Sequence, residues 1–494
     1  MLELIVFIAG AGVMALEMVG ARVLAPWLGT SIVIWTSLIG VILASLSLGY
    51  WWGGRLADRS PSAKVLGRIL CGAALGIALV AAFKSFILAA LLQNPDVRVA
   101  AMLAALLLFA PPSVLLGMVT PFSVRLKMQN VDSSGRVAGN LYALSTCGSI
   151  LGVFLTGFVL IAYCGTTQIL YGLSATLGLA SLLAARQSAP AKGAVLGLTL
   201  ALALASHSYE QYLASLGVHD VETAYSRVLV CNSVDPDSGR PIRIMTTCFK
   251  RLQSACFTDI PDPSQQLVLD YTRFFALIER FVPSARNALL LGGGGYSLPT
   301  YAMAKFPALR LTVVELDPGV TDLARRFFGL RDDPRLSIQH ADARTFLNQN
   351  AQTFDAVFVD VFTAHYAAPF HLATVETASR IHDALATNGV CMVNVISALQ
   401  GEKSKFLWAA YATLAAVFPQ VQLYALRSTA APDVVQNIVL VALKTTAPLH
   451  PRATSPAEQA LLDARWTGPI PSLPAPLRDD YAPVDRLVAA LWNE

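Results

Sequence analysis

Up to residue 206 the chain is a succession of long apolar runs separated by short polar connections; beyond it, short apolar stretches alternate with amphipathic ones. The runs 4–25, 32–53, 69–92, 99–119, 139–163 and 166–185 each reach the roughly 20 apolar residues that a bilayer-crossing helix needs. A seventh, 193–206, is shorter, so the pattern predicts six or seven spans. The first run is too long for a cleaved signal, lacks a basic start and is followed by further spans. Basic residues gather in alternate connections: Arg55, Arg59, Lys64 and Arg68 in one, Arg125, Lys127 and Arg136 in the next, Arg186 and Lys192 in a third. Such connections face the cytoplasm, which sets Met1 on the same side. If 193–206 crosses, the remainder of the chain faces outward; if it lies in the interface, the remainder is cytoplasmic.

The second part reads differently. Residues 221–257 are rich in β-branched side chains and interrupted by the turn cluster Asp235-Pro236-Asp237-Ser238-Gly239, which predicts a small antiparallel layer. Apolar strands follow at 288–291, 311–315, 336–339, 356–361, 390–396, 421–426 and 438–443, with helical stretches at 301–306, 320–328, 371–385 and 403–418. That alternation predicts a parallel, doubly wound α/β sheet. The expected organisation is a transmembrane helical bundle over 1–206, a β-layer with a connecting helix over 207–286, a Rossmann-like sheet over 287–450 and a tail over 451–494.

Composition sharpens this division. Charged residues make up 14% of the 494, and hydrophobic ones 55%, against about 25% charged in an average soluble domain. Of the 36 Lys and Arg, 12 precede residue 207, with only 5 of the 32 Asp and Glu. The beginning is apolar and sparsely basic, the rest ordinary and slightly acidic. The overall net charge of +4 is too weak, and its basic excess too confined to the membrane connections, to argue for a nucleic-acid partner. Glu17, Arg22 and Lys84 fall inside apolar runs, where charges are costly and need partners: a Glu17–Arg22 ion pair and a snorkelling Lys84 are the simplest expectation, a transport path the alternative. Cys71, Cys147 and Cys164 fall in or beside apolar runs. Cys231, Cys248, Cys256 and Cys391 show no metal-type spacing and no CxxC pair, consistent with a reducing compartment. No metal is expected.

The chemistry concentrates in the sheet. Leu289-Leu290-Leu291 runs directly into Gly292-Gly293-Gly294-Gly295, where a ligand can approach the backbone closely. About 20 residues on, Val313-Val314-Glu315-Leu316-Asp317 ends a second strand in carboxylates, as in sheets where an acid holds ribose hydroxyls. Asp342, before Ala343, ends the third strand, within reach of an adenine amino group. All three lie at strand C-termini, where open α/β sheets bind ligands, and they point to an adenosine-containing ligand. Asp360 ends the fourth strand and faces the reacting end of such a ligand. It can take a proton from an amine or hold a cation; the alternative is a loop acid or helix cap.

This ordered set resembles the spermidine synthase (polyamine aminopropyltransferase) family. The segments LEMVGARVLAPWLGTSIVIWTSLIG, GGRLADR and GRVAGNLYALSTCGSILG are similar to the spans of its membrane-fused bacterial members. The resemblance implies a class I methyltransferase-like sheet and an enzyme of the cell (inner) membrane, multi-pass. It would transfer an aminopropyl group from decarboxylated S-adenosylmethionine to putrescine or a related small amine, releasing methylthioadenosine. It further implies that Glu315 binds the ribose, Asp342 the adenine, and Asp360 is the general base, with Tyr225 and Ser226 preceding the β-layer near the donor. Three positions depart from the family pattern: Gly295 stands for an Asp, Tyr271 for a His lining the amine pocket, and Asp360-Val361-Phe362-Thr363 lacks a second acid. Amine dications need carboxylates to offset their desolvation, so the acceptor and the decarboxylated state of the donor stay open. His371, in Pro369-Phe370-His371-Leu372, and the acids Asp479, Asp480 and Asp485 belong to segments that look like those of fused members. The acids are expected either to fold back and restore charge or to remain a solvated tail. An S-adenosylmethionine-dependent methyltransferase and a membrane binding or transport protein with a nucleotide-sensing domain are the competing readings, and a homo-oligomer is left open.

Overall fold

Every long apolar run of the first part becomes a helix: α1 (Leu2–Leu28), α2 (Ile32–Arg59), α3 (Ala63–Leu91), α4 (Val97–Lys127), α5 (Ser134–Tyr163), α6 (Thr166–Ala184) and α7 (Ala189–Ser215). The computed structural model describes residues 1–494 except 95, 185–188, 248–251, 362–368, 428–429, 448, 450 and 492–494. It divides into two units, Met1–Leu216 with Glu222–Ser226, and Gly217–Val221 with Arg227–Glu494.

In the first unit, seven helices among the described residues are long and apolar enough to cross a membrane. The short seventh run is extended by the polar residues 207–215, which continue its helix. α7 retraces α6 from end to end: Lys192 Nζ donates to Ser181 O (2.7 Å), Ser174 Oγ meets Thr199 Oγ1 (3.1 Å) and Tyr171 OH meets Ser206 Oγ (2.9 Å). α7 therefore runs as deep as its neighbour rather than lying across one end.

Two ion pairs, Lys127 with Glu3 and Arg125 with Asp58 (3.2 Å), gather the beginning of α1, the end of α2 and the end of α4 at one end of the bundle. At the other end Glu222 accepts from the N–H (2.5 Å) and hydroxyl (2.7 Å) of Thr166, at the start of α6. Arg22, near the end of α1, donates to the carbonyls of Thr223 (2.7 Å) and Ala224 (2.5 Å). Its guanidinium thus serves backbone carbonyls instead of the expected partner Glu17. Lys84 does not snorkel either: it is buried and donates to Thr167 Oγ1 at 2.5 Å. The α1–α5 contact needs small residues, since a Cβ on Gly152 would sit 2.5 Å from Ala11 O, the close backbone approach that such positions permit in membranes.

In the second unit, β1 (His219–Glu222), β2 (Arg227–Val234), β3 (Pro241–Thr246) and β4 (Ser254–Phe257) form a four-stranded sheet in chain order, antiparallel at β2–β3 and β3–β4. The predicted turn closes the β2–β3 hairpin, with Asp235 Oδ2 accepting from Ser238 N at 3.1 Å. A second sheet holds β5 (Asn287–Leu291), β6 (Arg310–Glu315), β7 (Leu336–His340), β8 (Phe354–Val359), β9 (Leu385–Ser397), β10 (Gln420–Ala425) and β11 (Gln436–Leu443), ordered β10-β11-β9-β8-β5-β6-β7. This is the class I methyltransferase-like order. One correction applies to the expected parallel sheet: β5 to β9 are parallel, but β11 pairs antiparallel with both β9 and β10. Only ten residues separate β10 from β11, too few for the crossover that a parallel neighbour requires.

Both faces of the sheet are covered. Leu289 and Leu291 join one buried cluster with Val357, Val359, Ile438 and Leu440, while Ala288 and Leu290 join another with Ala356, Phe358, Val439 and Val441. Alternate residues pointing to opposite faces, both apolar, explain why these strands read as continuous hydrophobic runs.

Candidate active site

The turn after β5 is where the chain comes closest to a ligand. Gly292 and Gly294 take φ of 92° and 50°, which side chains resist. A Cβ on Gly292 would lie 2.5 Å from Asp360 O, so this glycine lets β5 and the end of β8 close together. Gly295 N donates to Ser254 Oγ (2.9 Å), pinning the turn to β4, and the helix Ser297–Lys305 follows. Tyr296, also at positive φ and fully buried, is fixed through its hydroxyl to Thr321 Oγ1 at 2.8 Å.

Glu315 ends β6 with its carboxylate under this turn: Oε2 accepts from Gly293 N (2.8 Å) and Gly294 N (3.3 Å), Oε1 from Asp317 N (2.9 Å). Burial raises its pKa, against the pull of those three N–H groups. Asp342 caps the helix Ala343–Gln349 through Thr345 N (2.9 Å) and turns Oδ2 toward His371 Nε2 (3.4 Å). Partial burial works against its ionisation, yet the Thr345 bonds and His371 hold its carboxyl below the usual range.

Asp360 follows β8. Its Oδ2 accepts from Tyr271 OH (2.8 Å) and its Oδ1 from Asn394 Nδ2 (3.0 Å), while Asn394 Oδ1 accepts from Asn437 Nδ2 (3.0 Å). Burial is the dominant influence and pushes the Asp360 carboxyl up to about 6; the bonds from Asn394 and Tyr271 oppose this, and the charge of Glu315 adds to it. Burial, with the neighbouring Asp360 charge, raises the Tyr271 phenol far above its ordinary value, so Tyr271 stays protonated and donates to Asp360.

A cleft of about 250 Å³ joins these groups, lined by Gln253, Ser254, Gly292, Gly294, Val314, Glu315, Leu316, Ala341, Asp342, Ala343, Asp360, Val361, Pro369, His371 and Leu372. Most of the candidates thus converge. Gly293 contributes its N–H to Glu315, and Gly295 faces Ser254 and Phe328 rather than the cleft. Asp317 is buried and caps the helix Pro318–Phe327 through Gly319 N (2.9 Å), a structural position outside the lining. Tyr225 and Ser226 lie in the turn after β1, where Thr223 Oγ1 accepts from both their N–H groups (3.2 and 2.9 Å), and neither lines the cleft. Thr363 and Cys248 lie outside the described residues.

Of the C-terminal acids, Asp479 folds back, but not into the cleft. Asp479 pairs with Arg344 Nη2 (2.6 Å) and accepts from Thr374 Oγ1 (2.7 Å), while Arg344 also donates to His371 O (3.2 Å). The tail therefore braces the segment that holds His371, and the Asp479 charge is spent on Arg344. Asn394, Gln253 and Arg344 were not singled out from sequence. An asparagine in the apolar run of β9 was the one available signal; the other two looked like ordinary polar surface. Among the described residues no group of three or more His, Cys, Asp or Glu is arranged to hold a metal.

Part of the chain is similar to known proteins. Residues 276–450 match the family model of the spermine/spermidine synthase domain. A polyamine aminopropyltransferase of Vibrio vulnificus is 25% identical over 183 residues, 36% of this chain and 59% of that protein. Polyamine aminopropyltransferase 2 of Ralstonia nicotianae is 26% identical over 391 residues, covering 73% of this chain and 71% of that one. The eEF1A lysine and N-terminal methyltransferase of Danio rerio is 31% identical over 119 residues, 22% of this chain and 17% of its own length. The chain thus spans about three fifths of the length of the first of these relatives.

Proposed function

We propose that this chain, in which residues 276–450 carry a spermine/spermidine synthase domain, is a membrane-bound aminopropyltransferase. Its donor is decarboxylated S-adenosylmethionine, its acceptor is a small amine, and methylthioadenosine is the product. Glu315, poised under the glycine turn, takes the ribose hydroxyls; Asp342, braced by Thr345 and His371, takes the adenine edge. The donor supplies an electrophilic carbon beside a sulfonium. Asp360 accepts the proton released by the attacking amine, and Tyr271 and Asn394 hold its two oxygens in place.

The observation that carries this is Asp360: a buried carboxylate at a strand end, oriented from both sides, with its pKa raised to about 6. A base with a pKa near the working pH is both ionised and able to take a proton. The experiment that tests it is mass spectrometry of products formed by the full chain from each donor. A gain of an aminopropyl group from the decarboxylated donor supports the proposal; product from intact S-adenosylmethionine alone sinks it.

Methyl transfer from intact donor is the second reading. It is favoured by Gly295, where the side chain expected to bind the cationic aminopropyl end is missing, and by the similarity to a methyltransferase over 119 residues. For location, the bundle supports a multi-pass protein of the cell membrane. With Met1 in the cytoplasm, seven crossings carry the chain out of the bundle on the outer side.

A further inference from the structure

Two segments that line the nucleoside cleft are tied to each other by side chains outside it. One is the turn Ala341-Asp342-Ala343 after β7; the other holds Pro369, His371 and Leu372. Within the cleft they meet at Asp342 and His371, whose side chains are 39% and 38% exposed. Asp342 Oδ1 accepts from Thr345 N (2.9 Å), and Oδ2 faces His371 Nε2 at 3.4 Å, longer than a usual hydrogen bond. A carboxylate oxygen accepts two donors, so Oδ2 keeps a position for a ligand N–H. Outside the cleft the segments meet again at Arg344, two residues after Asp342 in the helix Ala343–Gln349. Its Nη1 donates to His371 O (3.2 Å) and to the hydroxyls of Thr374 (3.3 Å) and Thr377, and Thr377 Oγ1 donates to the same carbonyl at 2.5 Å. These contacts close a ring from Asp342 through His371 to Arg344 and back along the helix.

The ring is completed by the C-terminal tail. Arg344 is 18% exposed, and Asp479 Oδ2 lies 2.6 Å from its Nη2. Asp479 is itself held, by Thr374 Oγ1 donating to Oδ1 (2.7 Å) and by its own N–H donating to Glu376 Oε2 (3.0 Å), while Val375 N donates to Leu477 O (2.8 Å). Neither Arg344 nor Asp479 lines the cleft. Resting on the nucleoside site proposed above, we infer that Arg344 and Asp479 are positioning residues for purine discrimination. The tail holds Asp342 Oδ2 where it accepts from a 6-amino group and rejects a 6-oxo group. An oxo group would set an acceptor against a carboxylate, and a site built around one hydrogen bond discriminates against the ligand that lacks it. Without Asp479 the largely buried Arg344 charge is uncompensated, the anchor of His371 is released, and the edge that reads the purine loosens. Glu315 and Asp360 are held by other partners, the glycine turn for one and Tyr271 with Asn394 for the other, so the loss falls on purine choice.

Isothermal titration of the full chain with methylthioadenosine and with methylthioinosine, its 6-oxo counterpart, tests this, with thermal unfolding of each variant alongside. The parent chain should bind methylthioadenosine tighter by about tenfold or more, as one hydrogen bond to a charged group is worth. In Asp479→Asn that ratio should collapse toward unity, chiefly through weaker methylthioadenosine binding. The double variant Arg344→Gln with Asp479→Asn leaves no unpaired charge, so it keeps the test open if Asp479→Asn unfolds, and its ratio should collapse alike. Asp479→Glu, which retains the charge, should recover most of the preference. A brace with a purely structural role would weaken both nucleosides equally and leave the ratio where it was, which overturns the inference. A parent chain that binds both nucleosides alike overturns it too. Binding of neither nucleoside by the parent overturns the nucleoside site and this inference with it, whereas discriminating binding that no variant alters leaves the site standing and overturns the inference alone.

Discussion

Asp360 concentrates the energetic cost of the site in one side chain. Its carboxyl, pushed up to about 6 by burial, favours the protonated form in the fold, so its contribution to stability declines as pH rises from about 4 toward about 6 and is unfavourable above that. On the proposed mechanism activity runs the other way, because the base must be ionised. Tyr271 and Asn394 lower this pKa by donating to the charged form. Tyr271→Phe should therefore move the acidic limb of the pH–rate profile upward, by roughly one pH unit for the loss of a hydrogen bond to a charged group worth about 1.5 kcal/mol. An unmoved limb would show that Tyr271 only fills space. Glu315 differs in kind: three backbone N–H groups already occupy it, so it shapes the glycine turn as well as offering oxygen to a ligand.

At the scale of elements, the turn after β5 explains why an acid is missing. A Cβ on Gly295 would meet Ser254 Cβ at 2.9 Å and the Phe328 ring at 3.1 Å, so the space that an acidic side chain would need is filled from β4 and from the end of the helix Pro318–Phe327. Gly295→Asp should then cost about 1–3 kcal/mol of stability through overpacking and leave diamine use no better, measured by thermal unfolding and steady-state rates; a stable variant with improved diamine turnover would contradict this. The strands were legible because their residues are apolar on both faces, and the acids at their ends because strand C-termini are where such sheets bind. The antiparallel β11 was not, since direction depends on the length of a connection rather than on the pattern within a strand. Asn394 was hidden inside β9 because its value depends on Asp360 and Asn437 from distant parts of the chain. Tyr271 was legible as a departure from a family pattern, but its bond to Asp360 appears only in three dimensions.

The whole molecule keeps the division that composition announced, an apolar bundle and an ordinary globular unit, with the boundary set by a seventh helix longer than its apolar run. Lys127–Glu3 and Arg125–Asp58 mark the end of the bundle that holds Met1, and Thr166–Glu222 with Arg22–Thr223 marks the opposite end, where the chain leaves. A reporter tag appended after Glu494 should accordingly be accessible from outside the cell, and the same tag at Met1 protected; the reverse pattern would mean that α7 does not cross.

The central claim is that Asp360 serves as the base for transfer from an adenosyl sulfonium donor. Methylthioadenosine release by the full chain, followed from pH 5 to pH 8 with the decarboxylated donor and a saturating amine, tests it most directly. Release should rise tenfold per pH unit below about 6, level off above it, and fall by about 10²–10⁴ in Asp360→Asn while methylthioadenosine still binds. Release that is absent, or that proceeds equally in Asp360→Asn, would contradict the account.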